Sequence, residues 1–116
     1  CDIYSFFKEK LLILKKMNIS SNRIILDPGI GFGKKDYHNF YLLRYLSVFL
    51  DLGHPILIGI SRKSMIYKTL NIDPEEALNG STVLHTISLL GGAKIIRTHD
   101  VKEAYECVKL VRALKS

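Results

Sequence analysis

Residues 23–29, Arg-Ile-Ile-Leu-Asp-Pro-Gly, form a short β-branched apolar run that ends abruptly in a polar turn. This composition predicts a buried strand that leads into a loop. Two later stretches repeat the pattern: residues 55–60 (Pro-Ile-Leu-Ile-Gly-Ile) stop at Ser61, and residues 93–96 (Ala-Lys-Ile-Ile) stop at Arg97. We therefore predict three short buried strands, each followed at once by polar residues.

Amphipathic helices are predicted between and around these strands, because apolar residues recur there at helical spacing. The predicted helical segments are 2–17, about 37–51, 65–70, 73–90 and the stretch from 100 onwards, and Gly53 is expected to act as the C-terminal stop of the second one. In the last one we expect Asp100 and Glu103 to form a capping box. The residues expected to face inward are Val101, Ala104, Cys107, Val108 and Val111. Continuously apolar strands that alternate with helices are typical of an α/β fold with a parallel sheet covered by helices.

The composition is that of an ordinary globular domain. The chain has 116 residues, 47% of them hydrophobic, and a net charge of +6. This excludes a disordered, collagen-like or disulfide-stapled chain. Cys1 and Cys107 are far apart and are interpreted as structural thiols. No apolar run approaches the ~18 residues of a membrane span, and the first residues do not have the order of a signal peptide, so we expect a cytoplasmic protein with no membrane partner.

The polar residues after the strands are the candidate functional residues. In parallel β/α folds the loops after the carboxyl ends of the strands carry the active site. Here those loops contain Asp27 with a glycine-rich stretch, then residues 61–64 (Ser-Arg-Lys-Ser), then Arg97 and His99. The opposite ends of the strands carry fewer residues suited to binding or catalysis. This asymmetry predicts one shared site.

Each of these motifs also has a plain structural interpretation. The glycine-rich loop matches neither the P-loop nor the dinucleotide-binding pattern and could be a simple turn. Residues 61–64 could be a solvated helix start or an anion site. Arg97 and His99 could each be a surface charge, or could face a phosphate together. Histidines 38, 54 and 85 lack the spacing of metal ligands and are interpreted as loop or core residues.

Three segments together resemble a known family. They are residues 26–34 (Leu-Asp-Pro-Gly-Ile-Gly-Phe-Gly-Lys), 59–66 (Gly-Ile-Ser-Arg-Lys-Ser-Met-Ile) and 95–103 (Ile-Ile-Arg-Thr-His-Asp-Val-Lys-Glu). In order and spacing they resemble the last three signature segments of the dihydropteroate synthase family, a sulfonamide target. The family fold is a (β/α)₈ TIM barrel, which needs about 250 residues. The resemblance therefore implies that residues 1–116 are the C-terminal part of such a barrel, with three strands and an incomplete barrel.

The resemblance also implies a function and roles for individual residues. The family is a transferase of folate biosynthesis that joins 6-hydroxymethyl-7,8-dihydropterin diphosphate to 4-aminobenzoate, giving 7,8-dihydropteroate and pyrophosphate. By resemblance the catalytic residues are Lys63, Arg97 and His99. The implied substrate-binding residues are Asp27, Gly59 and Lys63 for the pterin, Phe32, Lys63 and Ser64 for the aminobenzoate, and Arg97 and His99 for the diphosphate. The family uses Mg²⁺, whose protein ligand would lie outside this chain, so no metal ligand is expected here. A homodimer is also expected by resemblance.

Three alternatives stay open at this point. A related pterin-binding methyltransferase barrel would share an Asp for the pterin, but it would not require Ser61-Arg62-Lys63-Ser64 together with Arg97 and His99. A basic module for nucleic acid or another polyanion would suit the +6 charge, yet the basic residues lie partly at strand ends and partly scattered over helices, so we expect no nucleic-acid partner. A catalytically inactive half-barrel would expose a sheet edge that should pair with something.

Overall fold

The computed structural model describes residues 2–31 and 35–116 and has an α/β fold rich in helix. The helices are α1 (Asp2–Lys16), α2 (Asp36–Arg44), α3 (Ser64–Leu70), α4 (Leu78–Leu90) and α5 (Val101–Lys115). The strands are β1 (Leu57–Ile58) and β2 (Ile95–Ile96), and three short 3₁₀ segments cover Ser21–Arg23, Leu46–Leu52 and Pro74–Glu76.

The two strands are parallel, as the apolar runs predicted. Leu57 pairs with Ile95 and Ile58 with Ile96. The first predicted strand, residues 23–26, is reduced to a single parallel bridge between Leu26 and Ile56. That bridge is a genuine ladder step, since the Leu57 amide donates to the Leu26 carbonyl at 2.8 Å. The order Leu26, β1, β2 therefore agrees with a parallel sheet, and a third full strand stays a prediction.

The core lies between this sheet and the helices. Ile56, Ile58 and Ile60 are at most 1% exposed and occupy alternate positions, so they share one face of the strand. They belong to one buried cluster with Leu46 and Met65. Burying such side chains supplies most of the favourable free energy of folding. The neighbouring positions 57, 59 and 61 fall on the other face, where the chain continues into the candidate site.

Two helix predictions need correction. The single helix predicted for about 37–51 is broken at Tyr45, because α2 ends at Arg44 and a 3₁₀ segment follows. Gly53 ends that segment with φ 78°, as the glycine stop predicted. In α1 only Phe7 is buried, whereas Phe6 is 53% exposed, and Met17, which the prediction included in the helix, lies beyond its end. The helix therefore buries a narrower face than its apolar pattern suggests. Phe7 packs edge-to-face on Phe49, with 5.7 Å between the two ring centroids.

The start of α5 also differs from its prediction. Val101 is 70% exposed instead of inward, although Ala104, Cys107 and Val111 are buried. The predicted capping box between Asp100 and Glu103 is not formed, so that prediction is wrong. The Asp100 side chain makes no cap hydrogen bond, and both of its oxygens accept hydrogen bonds from Arg62 instead. Cys107 is a buried free thiol, and Cys1 lies outside the described residues. Within residues 2–31 and 35–116, no helix has the length and apolarity needed to cross a membrane.

Candidate functional site

Asp27 and Arg97 meet at the carboxyl end of the sheet. Arg97 follows β2 directly, and its amide donates to the carbonyl of Ile58 at 3.0 Å, which fixes its backbone to the neighbouring strand. Its Nη1 lies 3.4 Å from Asp27 Oδ2. The other carboxylate oxygen of Asp27 accepts the Gly29 amide at 2.9 Å. The sheet therefore brings together two candidate residues that are 70 positions apart, with opposite charges and solvent access.

Gly59 leaves the space that the Arg97 side chain fills. A Cβ placed on Gly59 would lie 2.5 Å from Arg97 Nη2 and 2.9 Å from Cζ. These distances are well inside van der Waals contact, which is about 3.5 Å or more between heavy atoms. The guanidinium can therefore lie against the strand only because residue 59 has no side chain. This gives the glycine, predicted to be a binding residue, a definite steric role.

Lys63 lies along the glycine-rich loop. Its Nζ donates to the carbonyl of Ile30, and a Cβ on Gly31 would lie 2.6 Å from Lys63 Cδ. Gly31 has φ 86°, in the left-handed region that favours glycine. Its amide donates at 3.0 Å to Oδ1 of Asn39, a buried residue of α2. The loop after Leu26 is thus held between α2 and the lysine.

The remaining predicted site residues have separate surroundings. Ser64, the first residue of α3, donates its hydroxyl to Asp36 Oδ1 at 2.9 Å. The His99 side chain is exposed, while its backbone amide donates to the buried Ser61 hydroxyl at 3.1 Å. Phe32 lies outside the described residues. The structure therefore joins Asp27, Gly59 and Arg97 through direct contacts, and it holds Lys63 and Ser64 at the neighbouring loop.

An ion pair between Arg62 and Asp100 was missed by the sequence reasoning. Arg62 Nε and Nη2 donate to the two Asp100 oxygens at 3.0 and 2.8 Å, a bidentate arrangement. The pair links the loop after β1 to the loop after β2, so each partner stands next to a predicted site residue: Lys63 on one side and His99 on the other. Both residues were visible within the signature segments, but nothing in their spacing indicated that they meet.

Two further hydrogen bonds hold Arg62 in place, one from its backbone amide and one from its side chain. Its φ is 56°, its amide donates to the buried Ser81 hydroxyl at 2.9 Å, and its Nη1 donates to the Glu75 carbonyl at 3.2 Å. The hydrogen bond from Arg62 lowers the pKa of Asp100, and the same bond raises the pKa of Arg62. Both groups therefore stay charged at neutral pH.

The loop-or-core interpretation is correct for His54, which lies in a loop, and for His85, which lies in the core, but it is wrong for His38, which is on α2. His85 is 2% exposed on α4, burial lowers its pKa, and its Nε2 has no hydrogen-bond partner among the described residues. His38 is exposed and His54 is half-buried. Over the described part of the chain, no three His, Cys, Asp or Glu side chains come together as a metal site would require.

Comparison with known proteins identifies the family. A family model described as "Pterin binding enzyme" matches residues 2–99. Because the match covers most of the chain, the chain belongs to the pterin binding enzyme family.

Similar proteins within that family include dihydropteroate synthases. The chain is 42% identical over 115 residues to the dihydropteroate synthase of Escherichia coli (strain K12), which covers 99% of this chain and 41% of the relative. The resemblance drawn from the three segments is thereby confirmed. The chain spans about two-fifths of the length of this relative.

Solved structures give the same result. The Yersinia pestis dihydropteroate synthase in a sulfonamide drug complex matches with a TM-score of 0.93 and 41% identity, covering 98% of this chain and 42% of that one. The dihydropteroate synthase of Coxiella burnetii in complex with pteroic acid matches with a TM-score of 0.90 and 45% identity, covering 94% of this chain and 40% of that one.

Proposed function

We propose that this chain is the C-terminal part of a dihydropteroate synthase, an enzyme that transfers a pterin methylene group from diphosphate to the amine of 4-aminobenzoate. The observation that carries the proposal is the convergence of Asp27, Arg97 and Lys63 at one end of the sheet. The identity to curated synthases over nearly the whole chain supports it, and none of the relatives named above is a methyltransferase.

Asp27 is proposed to bind the pterin. An ionised carboxylate accepts two N–H donors side by side, which suits the guanidine-like edge of a pterin ring. The pairing of Asp27 with the Arg97 guanidinium supports this role, because a guanidinium presents donors of the same kind. Gly59, whose missing side chain leaves room beside Arg97, is proposed to admit the ring.

Arg97 and His99 are proposed to bind the diphosphate. In the reaction the bond between the methylene carbon and the diphosphate oxygen breaks, and pyrophosphate leaves with the electron pair. The amine nitrogen then forms the new C–N bond and loses a proton. Cationic and N–H donors close to the leaving oxygens stabilise the developing charge. Positioning supplies the rest of the catalysis, so no covalent nucleophile is needed.

Lys63, Phe32 and Ser64 are proposed to hold 4-aminobenzoate. The aliphatic stem of Lys63 and the Phe32 ring would flank the aromatic ring, and the Ser64 hydroxyl would donate to the carboxylate. The position of Lys63 along the glycine-rich loop that precedes Phe32 supports the first part of this assignment.

The wider setting belongs to the same proposal. We infer that residues 1–116 supply three parallel strands of a (β/α)₈ barrel and that the enzyme is a homodimer. We also infer that it is cytoplasmic, a compartment to which the free Cys107 thiol is suited. Mg²⁺ would neutralise charge on the diphosphate when bound. By the family resemblance its protein ligand would lie outside this chain, so we assign the ion no ligand among residues 1–116.

Replacing Lys63 tests the proposed function. Lys63 is also proposed to reach the pterin carbonyl, so it would position both substrates. In protein of natural length, Lys63→Ala is expected to lower pyrophosphate release from the pterin diphosphate and 4-aminobenzoate by about a hundredfold, the order of loss when reacting groups are misplaced by about 1 Å. Lys68→Ala is the matched control, because Lys68 is an exposed lysine on α3. Equal rates for the two variants would contradict the proposal.

A further inference from the structure

The hydrogen bond between Ser64 and Asp36 bears on how the ring substrate is selected. Ser64 Oγ and Asp36 Oδ1 lie 2.9 Å apart, and both residues are half-buried. They come from different elements, 28 positions apart in sequence: Asp36 begins α2 and Ser64 begins α3. Because a hydroxyl carries a single hydrogen, a serine that donates to Asp36 cannot donate to a bound carboxylate at the same time.

The charge of Asp36 acts in the same direction. A ligand carboxylate that reaches the Ser64 hydroxyl must come close to Asp36, since the two side chains are in contact. Like charges at such a distance repel, and the half-buried surroundings screen them less than bulk water does. The lone pairs of Ser64 add to the effect while its hydrogen points to Asp36. This combination disfavours an anionic ligand relative to a neutral one of the same shape.

We propose that Asp36 is a specificity-determining residue that weakens binding of the carboxylate of 4-aminobenzoate at Ser64. The inference rests on the proposed function, in which Ser64 receives that carboxylate. It adds a residue outside the set of candidate site residues predicted from the sequence. Asp36 sets the preference between 4-aminobenzoate and uncharged analogues of the same ring.

The test compares two amines that differ in charge. Pyrophosphate release is measured in protein of natural length with 4-aminobenzoate and with its neutral amide, 4-aminobenzamide. Asp36→Asn keeps the size of the side chain and removes its charge. We expect the KM for 4-aminobenzoate to fall about three- to tenfold, as expected for relief of a partly screened repulsion, and the KM for 4-aminobenzamide to stay the same.

Two further variants control for other causes. Asp36→Leu removes both the charge and any amide donor, so it must lower the KM for 4-aminobenzoate as well. Asp51→Asn makes the same change in net charge at an exposed position before β1, whereas Ser64 follows that strand, and it must leave both KM values unchanged. Melting temperatures identify any Asp36 variant that fails to fold, in which case the other one decides.

Ser64→Ala, made in the Asp36→Leu background where the hydroxyl is released from Asp36, separates this inference from the proposed function. If it leaves the KM for 4-aminobenzoate unchanged there, the assignment of Ser64 to the carboxylate is wrong, and the inference falls with it. If Ser64→Ala raises that KM but neither Asp36 variant lowers it, the proposed function stands and the inference is overturned. An equal change for the acid and the amide in the Asp36 variants also overturns it, because the effect would then not depend on the substrate's charge.

Discussion

Gly59→Ala tests whether the placement of Arg97 depends on an absent side chain. Gly59 is buried at the end of β1, and its φ is not positive, so alanine fits the backbone there. The new methyl group would instead meet Arg97, 2.5 Å from Nη2 and 2.9 Å from Cζ. The substitution therefore acts on one side chain of the site and leaves the strand itself unstrained.

The size of the effect follows from these distances. Ordinary contact begins at about 3.5 Å, so the guanidinium must retreat by about 1 Å. Arg97 is only 3.4 Å from Asp27 before the change, so a retreat of that size breaks the pair. Displacing a group that positions or stabilises the reacting atoms by about 1 Å costs on the order of a hundredfold in rate. Stability changes little, because both members of the pair are exposed and such pairs contribute about 0–1 kcal/mol.

The assay is pyrophosphate release, with urea denaturation as the check on folding. Gly91→Ala is the matched control: its φ is −77°, and a Cβ there lies 3.4–3.5 Å from its neighbours, which is ordinary contact. We expect a large loss of rate for Gly59→Ala and none for Gly91→Ala, with similar unfolding midpoints. A Gly59→Ala protein that keeps its rate would refute the assigned role of Arg97. A midpoint shift as large as that of a core truncation would mean that the strand, and not the guanidinium, is what the methyl group disturbs.

Two further predictions concern stability. Because Arg62 lowers the pKa of Asp100, this carboxylate stabilises the folded state above its unfolded pKa and loses that contribution as pH falls from about 4 through its lowered folded pKa. The gap in unfolding free energy between wild type and Asp100→Asn should be constant near neutral pH and should narrow steadily as pH falls below about 4. A gap that does not narrow in acid would disprove the linkage. Ile58→Ala empties a position that is 0% exposed and should cost about 3 kcal/mol in urea denaturation, whereas a cost under about 1 kcal/mol would show that the core beneath the sheet is loosely packed.

The elements that the sequence predicted well are those set by local pattern. The apolar runs at 55–60 and 93–96 contain β1 and β2, and Gly53 ends its segment with the positive φ that a glycine stop implies. The break at Tyr45 was not predicted, because Leu42, Leu43, Leu46 and Phe49 keep a helical spacing through it. An apolar pattern indicates only which side chains are buried. Over so short a stretch a 3₁₀ segment buries nearly the same side chains as an α-helix, so the pattern does not distinguish the two.

The site was predicted in composition but not in its contacts. Parallel strands place their carboxyl ends at one edge, which was enough to expect Asp27 and Arg97 together. The partners of Arg62 and Ser64, by contrast, are 38 and 28 residues away in sequence. Local rules assigned Asp100 to a helix cap instead. A capping carboxylate normally accepts from backbone amides, but here a bidentate guanidinium takes both oxygens.

These distant contacts explain how such short strands can support a defined site. Each strand is two residues long, so the sheet ladder alone holds little of the chain that follows it. Buried polar side chains fix the loops instead, since Ser61 accepts from His99, Ser81 accepts from Arg62, and Asn39 accepts from Gly31. A buried acceptor that lost its donor would be left unsatisfied, which costs about 1–3 kcal/mol, so each contact resists being broken. The Arg97 and His99 side chains can therefore stay exposed to ligands while the backbone beneath them is fixed.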